Sequence, residues 1–173
     1  MIVGTFWLLA VAGNETLRNA IPGGMLALLH HPAAWRELQA APDLVPGAVE
    51  EMLRWWTPVM NFRRTAAEDA GLGGVDIRAG DKVLLSFLSA NHDERVFSDP
   101  AVFDIRRDPN PHLSFGQGPH FCIGARLAVA QMRALFTELG RRFDRFEPAG
   151  SPTFLRSNFQ RGVKTLPVRW IGR

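Results

Sequence analysis

Apolar positions in the first third of the chain repeat with the period of an α-helix. The run MIVGTFWLLAVAGNETLRNAI predicts one helix over residues 2–20 that ends before Pro22. Its apolar start resembles an export signal, but no positive segment precedes it and it continues into the turn that holds Glu15 and Arg18. We therefore expect a buried core helix, too short in its apolar part to span a bilayer. MLALLHH and PAAWRELQAA predict two short helices split by Pro32.

The middle of the chain changes from helical to extended patterning. VPGAVEEMLRWW, with Pro46 near its first turn, predicts another amphipathic helix. MNFRRTA and AGLGGVDIRAGDKVLLSF predict short strands around glycine-rich turns, with a hairpin at RAGD. The polar, proline-rich stretch NHDERVFSDPAVFDIRRDPNPH predicts irregular structure.

The last third begins with a strong helical pattern over about residues 123–142 and ends in TFLRSNFQRGVKTLPVRW, which predicts a final pair of strands. The sequence contains no internal repeat, low-complexity segment or linker. The whole pattern predicts a single unit over residues 1–173, mainly α-helical with a small β-sheet at one side.

Composition narrows the possible function classes. With 173 residues, 46% hydrophobic and 21% charged, the chain is typical of soluble globular domains. Its net charge of +3 comes without the dense basic and aromatic stripe of nucleic-acid binders, so we expect no nucleic acid and a basic docking face for an acidic protein. One cysteine excludes an internal disulfide. We expect a cytoplasmic protein with no membrane span.

That cysteine, Cys122, lies in HLSFGQGPHFCIGARLA, just before the helix predicted over about residues 123–142. A thiol at a helix N-terminus lies in the field of free backbone N–H groups, which favours the thiolate. Residues that admit a flat ligand or give it an apolar wall surround the thiol: Gly116, Gly118, Gly124, Phe115 and Phe121. Two alternatives stay open on spacing alone: a buried structural cysteine, or a nucleophile paired with His120, for which no third orienting residue is evident.

The stretch FGQGPHFCIG closely resembles the haem-binding loop of the cytochrome P-450 family, Phe-Gly-x-Gly-x-(His or Arg)-x-Cys-x-Gly, and fills every fixed position. The resemblance implies that Cys122 is the proximal thiolate ligand of the iron of haem b. It also implies that His120 meets a haem propionate. Phe115, Gly116 and Gly124 match further cofactor-binding positions of this loop.

EEMLR supplies a second motif. Glu51 and Arg54 share one face of the predicted helix and can pair, although taken alone they would be an ordinary surface ion pair. They are similar to the Glu-x-x-Arg of the same family. The resemblance implies that Arg107, from FDIRR, completes a buried charge network that holds the cysteine loop.

AGNET, in the first helix, supplies a third motif. Each of its residues has an ordinary explanation as packing or surface, yet a mid-helix Thr16 can bond the carbonyl of Ala12 and bend the helix. An acid beside an alcohol can also relay protons. The stretch resembles the family's oxygen-binding groove, Ala-Gly-x-(Glu or Asp)-Thr. That resemblance implies catalytic proton delivery by Glu15 and Thr16, with Ala12 and Gly13 lying over the haem.

Two softer features concern charge. FRRTAAED resembles the strand from which an arginine reaches a haem propionate, and Arg64 fits that place better than Arg63. The helix after Cys122 carries arginines that would form a basic face for an acidic ferredoxin, with a merely solvated face as the alternative. They are Arg126, Arg133, Arg141 and Arg142, and Arg145 follows the helix closely.

The resemblance spans the whole chain but only the C-terminal, proximal haem-binding half of the family's fold. It implies a bacterial-type haem-dependent monooxygenase, or its C-terminal fragment, which takes electrons from NAD(P)H through a redox partner. The alternatives are a non-catalytic haem-binding module, or an inactive remnant or half of a split enzyme. Segments such as RWWTPVMNFRRTA look like members that act on sterols, terpenes or fatty acyl chains.

Overall fold

The computed structural model describes residues 2–172, which form five α-helices and eight β-strands. The helices are α1 (Ile2–His30), α2 (Pro32–Ala40), α3 (Val45–Trp56), α4 (Phe87–Ala90) and α5 (Ala125–Arg142). The strands are β1 (Asn61–Thr65), β2 (Ala70–Leu72), β3 (Val75–Ile77), β4 (Lys82–Ser86), β5 (Phe143–Pro148), β6 (Thr153–Phe154), β7 (Val163–Thr165) and β8 (Val168–Gly172). Two 3-10 turns cover Pro42–Leu44 and Gly118–His120.

Helix α1 is longer than the sequence pattern predicts, because it continues through Pro22 and absorbs MLALLHH. A proline inside a helix removes one hydrogen bond and crowds the carbonyl four residues back. Packing after the proline offsets that cost: Met25 and Leu28 are buried in the core, and Gly23 lies directly against the indole of Trp56 in α3. The predicted end of the helix before Pro22 is therefore wrong.

The first half of α1 is exposed. Val3 is 83% exposed, Phe6 77% and Trp7 68%. The core begins only at Ala20, with Leu17 packed against it. The prediction of a buried core helix is thus wrong for this half, because no element among residues 2–172 covers it. No helix in the described part of the chain is long and apolar enough to cross a membrane.

Helix α3 is the centre of the core. It packs against α1 on one side and α5 on the other, and its bounds are those the sequence predicts. Residues of α3 and its neighbours interlock there and are nearly inaccessible to solvent: Leu28, Ala48, Val49, Met52, Met132 and Phe136. Glu51 and Arg54, also on α3, are both 0% exposed and contact residues of the irregular stretch between Asn91 and His112.

The strands form four separate two-stranded antiparallel sheets among the described residues, where the sequence predicted one small sheet. β1 pairs with β4, from Asn61 opposite Ser86 to Thr65 opposite Lys82. β2 and β3 form the local hairpin, through Gly73 and Gly74 in the left-handed region. The turn at RAGD instead joins β3 to β4, which lie in different sheets, so the hairpin predicted there is wrong.

The chain from Asn91 to His112 contains turns but neither helix nor strand, as predicted from its polarity and prolines. At the C-terminus β5 pairs with β8 and β6 with β7, one pair more than the sequence predicted. The irregular stretch passes over α3 and leads directly into the loop that carries Cys122.

Candidate functional site

The loop before α5 presents the thiol of Cys122 to solvent. Gly116 and Gly118 adopt φ angles of 73° and 75°, where other residues are strained. These turns fold the loop back so that the Cys122 N–H donates to the Phe115 carbonyl at 2.9 Å. Exposure excludes the buried structural cysteine that the sequence left open. No hydrogen bond joins Cys122 to His120 in the described part of the chain, so a preformed nucleophilic pair is not present.

A buried ion pair lies behind this loop. Nε and Nη2 of Arg54 donate to Oε2 and Oε1 of Glu51, each at 2.7 Å, and both side chains are 0% exposed. Arg107 Nε adds a third contact, at 3.2 Å from Glu51 Oε2. The network that the resemblance implied is therefore assembled. Since each isolated charge would be costly in the interior, the pair is stable only while complete.

Arg54 also binds the irregular stretch. Its other N–H groups donate to the carbonyls of Asn91, Pro100 and Val102, at 2.8, 3.0 and 3.1 Å. One guanidinium thus fixes three points of a segment that has no secondary structure of its own.

Sequence reasoning missed two further partners of Glu51. The backbone N–H of Asp104 donates to Oε1 at 2.9 Å, and Nδ2 of Asn110 donates to Oε2 at 3.1 Å. Asn110 is part-buried, and its Oδ1 has no hydrogen-bond partner among residues 2–172. The local sequence does not predict either contact, because Asp104 and Asn110 are brought to Glu51 by the course of the irregular stretch, which has no regular pattern.

The groove residues of α1 lie on its open half. Thr16 Oγ1 donates to the Ala12 carbonyl at 2.7 Å, the bond that the sequence predicts. Glu15 pairs with Arg18 at 3.1 Å and makes no hydrogen bond to Thr16 among the described residues. A Cβ placed on Gly13 would meet nothing within 4 Å, so that surface is free to receive a flat group.

Arg64 and His120 are the predicted propionate ligands, and both are exposed. The Arg64 guanidinium lies 5.9 Å from the Phe62 ring centroid and donates to the Arg63 carbonyl at 3.1 Å. Neither side chain pairs with an acidic residue between residues 2 and 172. Both are therefore available to an anionic ligand.

These features fit a flat, apolar, anionic cofactor with a metal at its centre. Exposed apolar side chains flank the thiol, with Phe121 53%, Leu127 64% and Ile123 92% exposed. No group of three or more His, Cys, Asp or Glu in the described residues could hold a bare metal ion. A single soft sulfur ligand suits a metal whose other ligands come from a macrocycle. The donor set fits haem.

The basic face predicted on α5 is largely neutralised. Four of its five arginines pair with acidic side chains of the same surface: Arg133 with Glu50, Arg141 and Arg142 with Glu138, and Arg145 with Asp144 and Glu147. Hydrogen bonds from Arg141 and Arg142 lower the pKa of Glu138 from 4.5 to about 2. Of these five arginines, only Arg126 lacks an acidic partner among the described residues, so the excess of positive charge on this face is smaller than the arginine pattern suggests.

The fold and the donor set fit a haem-binding protein, and comparison with known proteins shows its family. A family model of cytochrome P450 matches residues 43–167. The chain therefore belongs to the cytochrome P450 family, and its mainly helical structure with small sheets is a partial form of that fold. Family membership implies a haem iron cofactor.

The curated relatives of this chain are longer than the chain itself. It is 48% identical over 174 residues to a methyl-branched lipid omega-hydroxylase of Mycobacterium tuberculosis, a match that covers 98% of this chain and 40% of the relative. A steroid C26-monooxygenase of Mycolicibacterium smegmatis is 44% identical, with 95% of this chain and 38% of the relative covered. The chain thus spans about 40% of the length of the curated relatives it matches.

Solved structures match the fold closely. P450BioI, in complex with acyl carrier protein ligated to hexadec-9Z-enoic acid, superposes with a TM-score of 0.92 at 41% identity, over 94% of this chain and 43% of that one. CYP109E1 from Bacillus megaterium, in complex with corticosterone, superposes with a TM-score of 0.94 at 38% identity, over 97% of this chain and 46% of that one.

Proposed function

We propose that this chain forms the thiolate side of the haem site of a bacterial-type monooxygenase, with Cys122 as the iron ligand. The observation that carries the proposal is an exposed thiol on a glycine-shaped loop, backed by the buried Glu51–Arg54 pair. A cysteine kept only for packing would be buried, and a loop kept only as a connection needs no fully buried ion pair behind it.

The residues around the thiol would hold the cofactor in complementary ways. Phe115, Gly116 and Gly124 border the loop and would lie along the ring. His120 and Arg64 would meet the propionates, since neither has an acidic partner among the described residues and both carry or can carry positive charge. When bound, haem would supply oxygen activation at an iron to which a thiolate donates electron density.

The chain's own contribution to proton movement would come from α1. The hydroxyl hydrogen of Thr16 is committed to the Ala12 carbonyl, which leaves the Oγ1 lone pairs free to accept from a water molecule. Glu15 lies one residue away as a half-buried carboxylate that can exchange protons with solvent. Ala12 and Gly13 present no bulk on the open surface, so a ring can approach the helix closely.

The substrate class and electron source complete the proposal. The relatives are named for a methyl-branched lipid and for a steroid, both large apolar molecules. We infer a sterol, terpene or fatty acyl substrate, with electrons from NAD(P)H delivered through a ferredoxin or a similar redox partner.

One observation favours a second candidate. Because the first half of α1 is uncovered, this chain alone would leave one side of the site open to water. On this alternative it binds haem without turnover, as a haem-binding module or as one part of a two-chain enzyme.

Optical spectroscopy of the haem-loaded chain tests the proposal. The reduced carbon monoxide adduct should show the red-shifted Soret band of a thiolate ligand, because the sulfur pushes electron density onto the iron. Cys122→Ala should abolish that band, and Cys122→His should replace it with an imidazole-type spectrum. A wild-type spectrum identical to that of Cys122→Ala would overturn the ligand assignment.

A further inference from the structure

A second buried polar cluster, next to the glutamate network, lies between the end of α3 and the start of the cysteine loop. Its centre is Asn91, whose side chain is 0% exposed. Oδ1 accepts the Leu113 backbone N–H at 2.7 Å, and Nδ2 donates to Thr57 Oγ1 and Ser114 Oγ, both at 2.9 Å. Thr57 is itself 0% exposed.

The hydrogen positions in this cluster follow from its partners. The Leu113 backbone N–H can only donate, so the amide atom that faces it must be the oxygen. The Ser114 hydroxyl gives its one hydrogen to the Leu53 carbonyl at 2.7 Å, and the Thr57 hydroxyl gives its hydrogen to the Arg54 carbonyl at 2.7 Å. Both hydroxyls are therefore acceptors towards Asn91, and only an amide side chain satisfies all three contacts at once.

The cluster connects the end of α3 with the start of the cysteine loop. Thr57 follows α3 in the left-handed conformation, with φ 48°, and closes that helix. Leu113 and Ser114 immediately precede Phe115, whose carbonyl accepts the Cys122 N–H. The backbone of Cys122 is thus bonded to Phe115, which directly follows the two residues that bond Asn91.

We propose that Asn91 is a positioning residue for the cysteine loop, which it holds to the C-terminal end of α3 through Leu113 and Ser114. Its role differs from that of Glu51, because its side chain contacts the loop itself, whereas Glu51 contacts the stretch that precedes it. The backbone carbonyl of Asn91 accepts a hydrogen bond from Arg54 and so connects this cluster with the Glu51–Arg54 network. The functional consequence for the iron ligand rests on the function proposed above.

Asn91→Asp is the sharpest variant. It preserves shape and the oxygen that accepts from Leu113, but it replaces both N–H donors by an oxygen facing hydroxyls whose hydrogens are already committed. Ser114→Ala removes one link only, and Ser114→Thr restores a hydroxyl there. Asn19→Ala is the matched control, because Asn19 is also a buried asparagine, 4% exposed, but its side chain bonds Gln160 and no residue of the cysteine loop among the described residues.

Amide hydrogen exchange of the haem-free chain gives the first measurement. In Asn91→Asp and Ser114→Ala we expect exchange over residues 113–122 to accelerate about tenfold, the effect of losing a buried hydrogen bond. Exchange in α2 should stay unchanged, as it should in the loop of Asn19→Ala and Ser114→Thr. Loop exchange that rises no more than in Asn19→Ala would overturn the proposal. Ser114→Ala decides the matter should Asn91→Asp not fold.

The haem-loaded chain gives the second measurement. In Asn91→Asp and Ser114→Ala the share of reduced carbon monoxide adduct with the thiolate-type band should fall, while Asn19→Ala keeps the wild-type share. An unchanged share in both loop variants would count against positioning of the ligand. A wild-type chain without any thiolate-type band would instead remove the proposed function, and the exchange experiment would still decide whether Asn91 fixes the loop.

Discussion

Arg54 and Glu51 meet in the core as a two-point ion pair that no solvent reaches, with both N···O distances at 2.7 Å. Arg18 and Glu15 have the same spacing along a helix, yet their side chains are 74% and 43% exposed. The sequence pattern is the same in both cases, and the burial differs completely.

This contrast gives the first prediction. Arg54→Ala should lower the free energy of unfolding by about 3–5 kcal/mol, because it leaves the Glu51 carboxylate buried without its partner. Arg18→Ala, the matched control, should cost about 0–1 kcal/mol, as exposed pairs do. Urea unfolding of both chains provides the measurement. An equal loss of unfolding free energy in the two variants would show that the buried pair contributes no more to stability than the exposed pair.

Two glycines of α1 give the second prediction. A Cβ on Gly23 would lie 2.1 Å from the Trp56 ring, so Gly23→Ala should lower the free energy of unfolding by about 1–3 kcal/mol through overpacking. Gly13→Ala meets no neighbour and should raise it by about 0.5–1 kcal/mol, since alanine favours the helix. Thermal unfolding compares them. The Gly13 variant should also take up haem less readily, and undiminished uptake would place the ring elsewhere.

The third prediction concerns pH. Burial lowers the pKa of His92 from its ordinary 6.5, opposed by a hydrogen bond to the Leu88 carbonyl and reinforced by the charges of Arg54 and Arg161. The folded chain therefore binds fewer protons than the unfolded chain below pH 6.5, and its stability should fall as pH drops through that window. His92→Gln should flatten this part of the stability curve in urea titrations. An unchanged slope would assign the pH dependence to other groups.

The fourth prediction separates haem binding from chemistry. Thr16→Ala should leave haem uptake unchanged, because among residues 2–172 the hydroxyl bonds only a carbonyl of its own helix. Where turnover is restored by supplying the remaining part of a related monooxygenase, the variant should consume oxygen with less product. Thr16→Ser, which keeps the hydroxyl, should retain coupling. Loss of haem in Thr16→Ala would assign this residue to the fold instead.

The fifth prediction concerns the electron donor. The ion pair of Arg133 with Glu50 is long, at 3.4 Å, so the arginine charge remains available to an acidic partner. Reversing this charge should slow association of an acidic ferredoxin and leave the haem spectrum unchanged. Association should also weaken with salt, since exposed charges are screened within a Debye length of about 8 Å. Arg78→Glu changes the net charge equally, in the turn between β3 and β4, and serves as the control. Stopped-flow rates that ignore Arg133→Glu and salt would exclude this surface.

The bounds of α3 could be predicted from sequence because every signal there is local. Pro46 stands at the start, apolar residues recur at helical spacing, and the pattern stops at Trp56. For α1 the local signal at Pro22 was misleading, since the contact of Gly23 with Trp56 joins residues far apart in the chain. The proline in the sequence indicates a local cost to the helix, whereas the long-range packing that offsets this cost cannot be predicted from the local pattern.

The candidate site divides in the same way. Cys122, Glu51 and Arg54 could be found because they occur in recognisable motifs of fixed spacing. Asn91 could not, because its partners Thr57 and Ser114 are 34 and 23 residues away and carry no motif. The pairing of β1 with β4 escaped prediction for the same reason, as the nearer turn at RAGD suggested a hairpin that nonlocal pairing overrides.

The separate two-stranded sheets have a consequence for handling the protein. Among residues 2–172, β4 pairs with β1 alone, so its other edge presents unpaired backbone groups. Leu84 there is 62% exposed and Leu85 37%, in a short strand with a single charge at its start. Such an edge is a template on which a second chain can add a strand. Concentrated preparations should therefore aggregate from this edge, and a lysine in place of Leu84 should delay the onset.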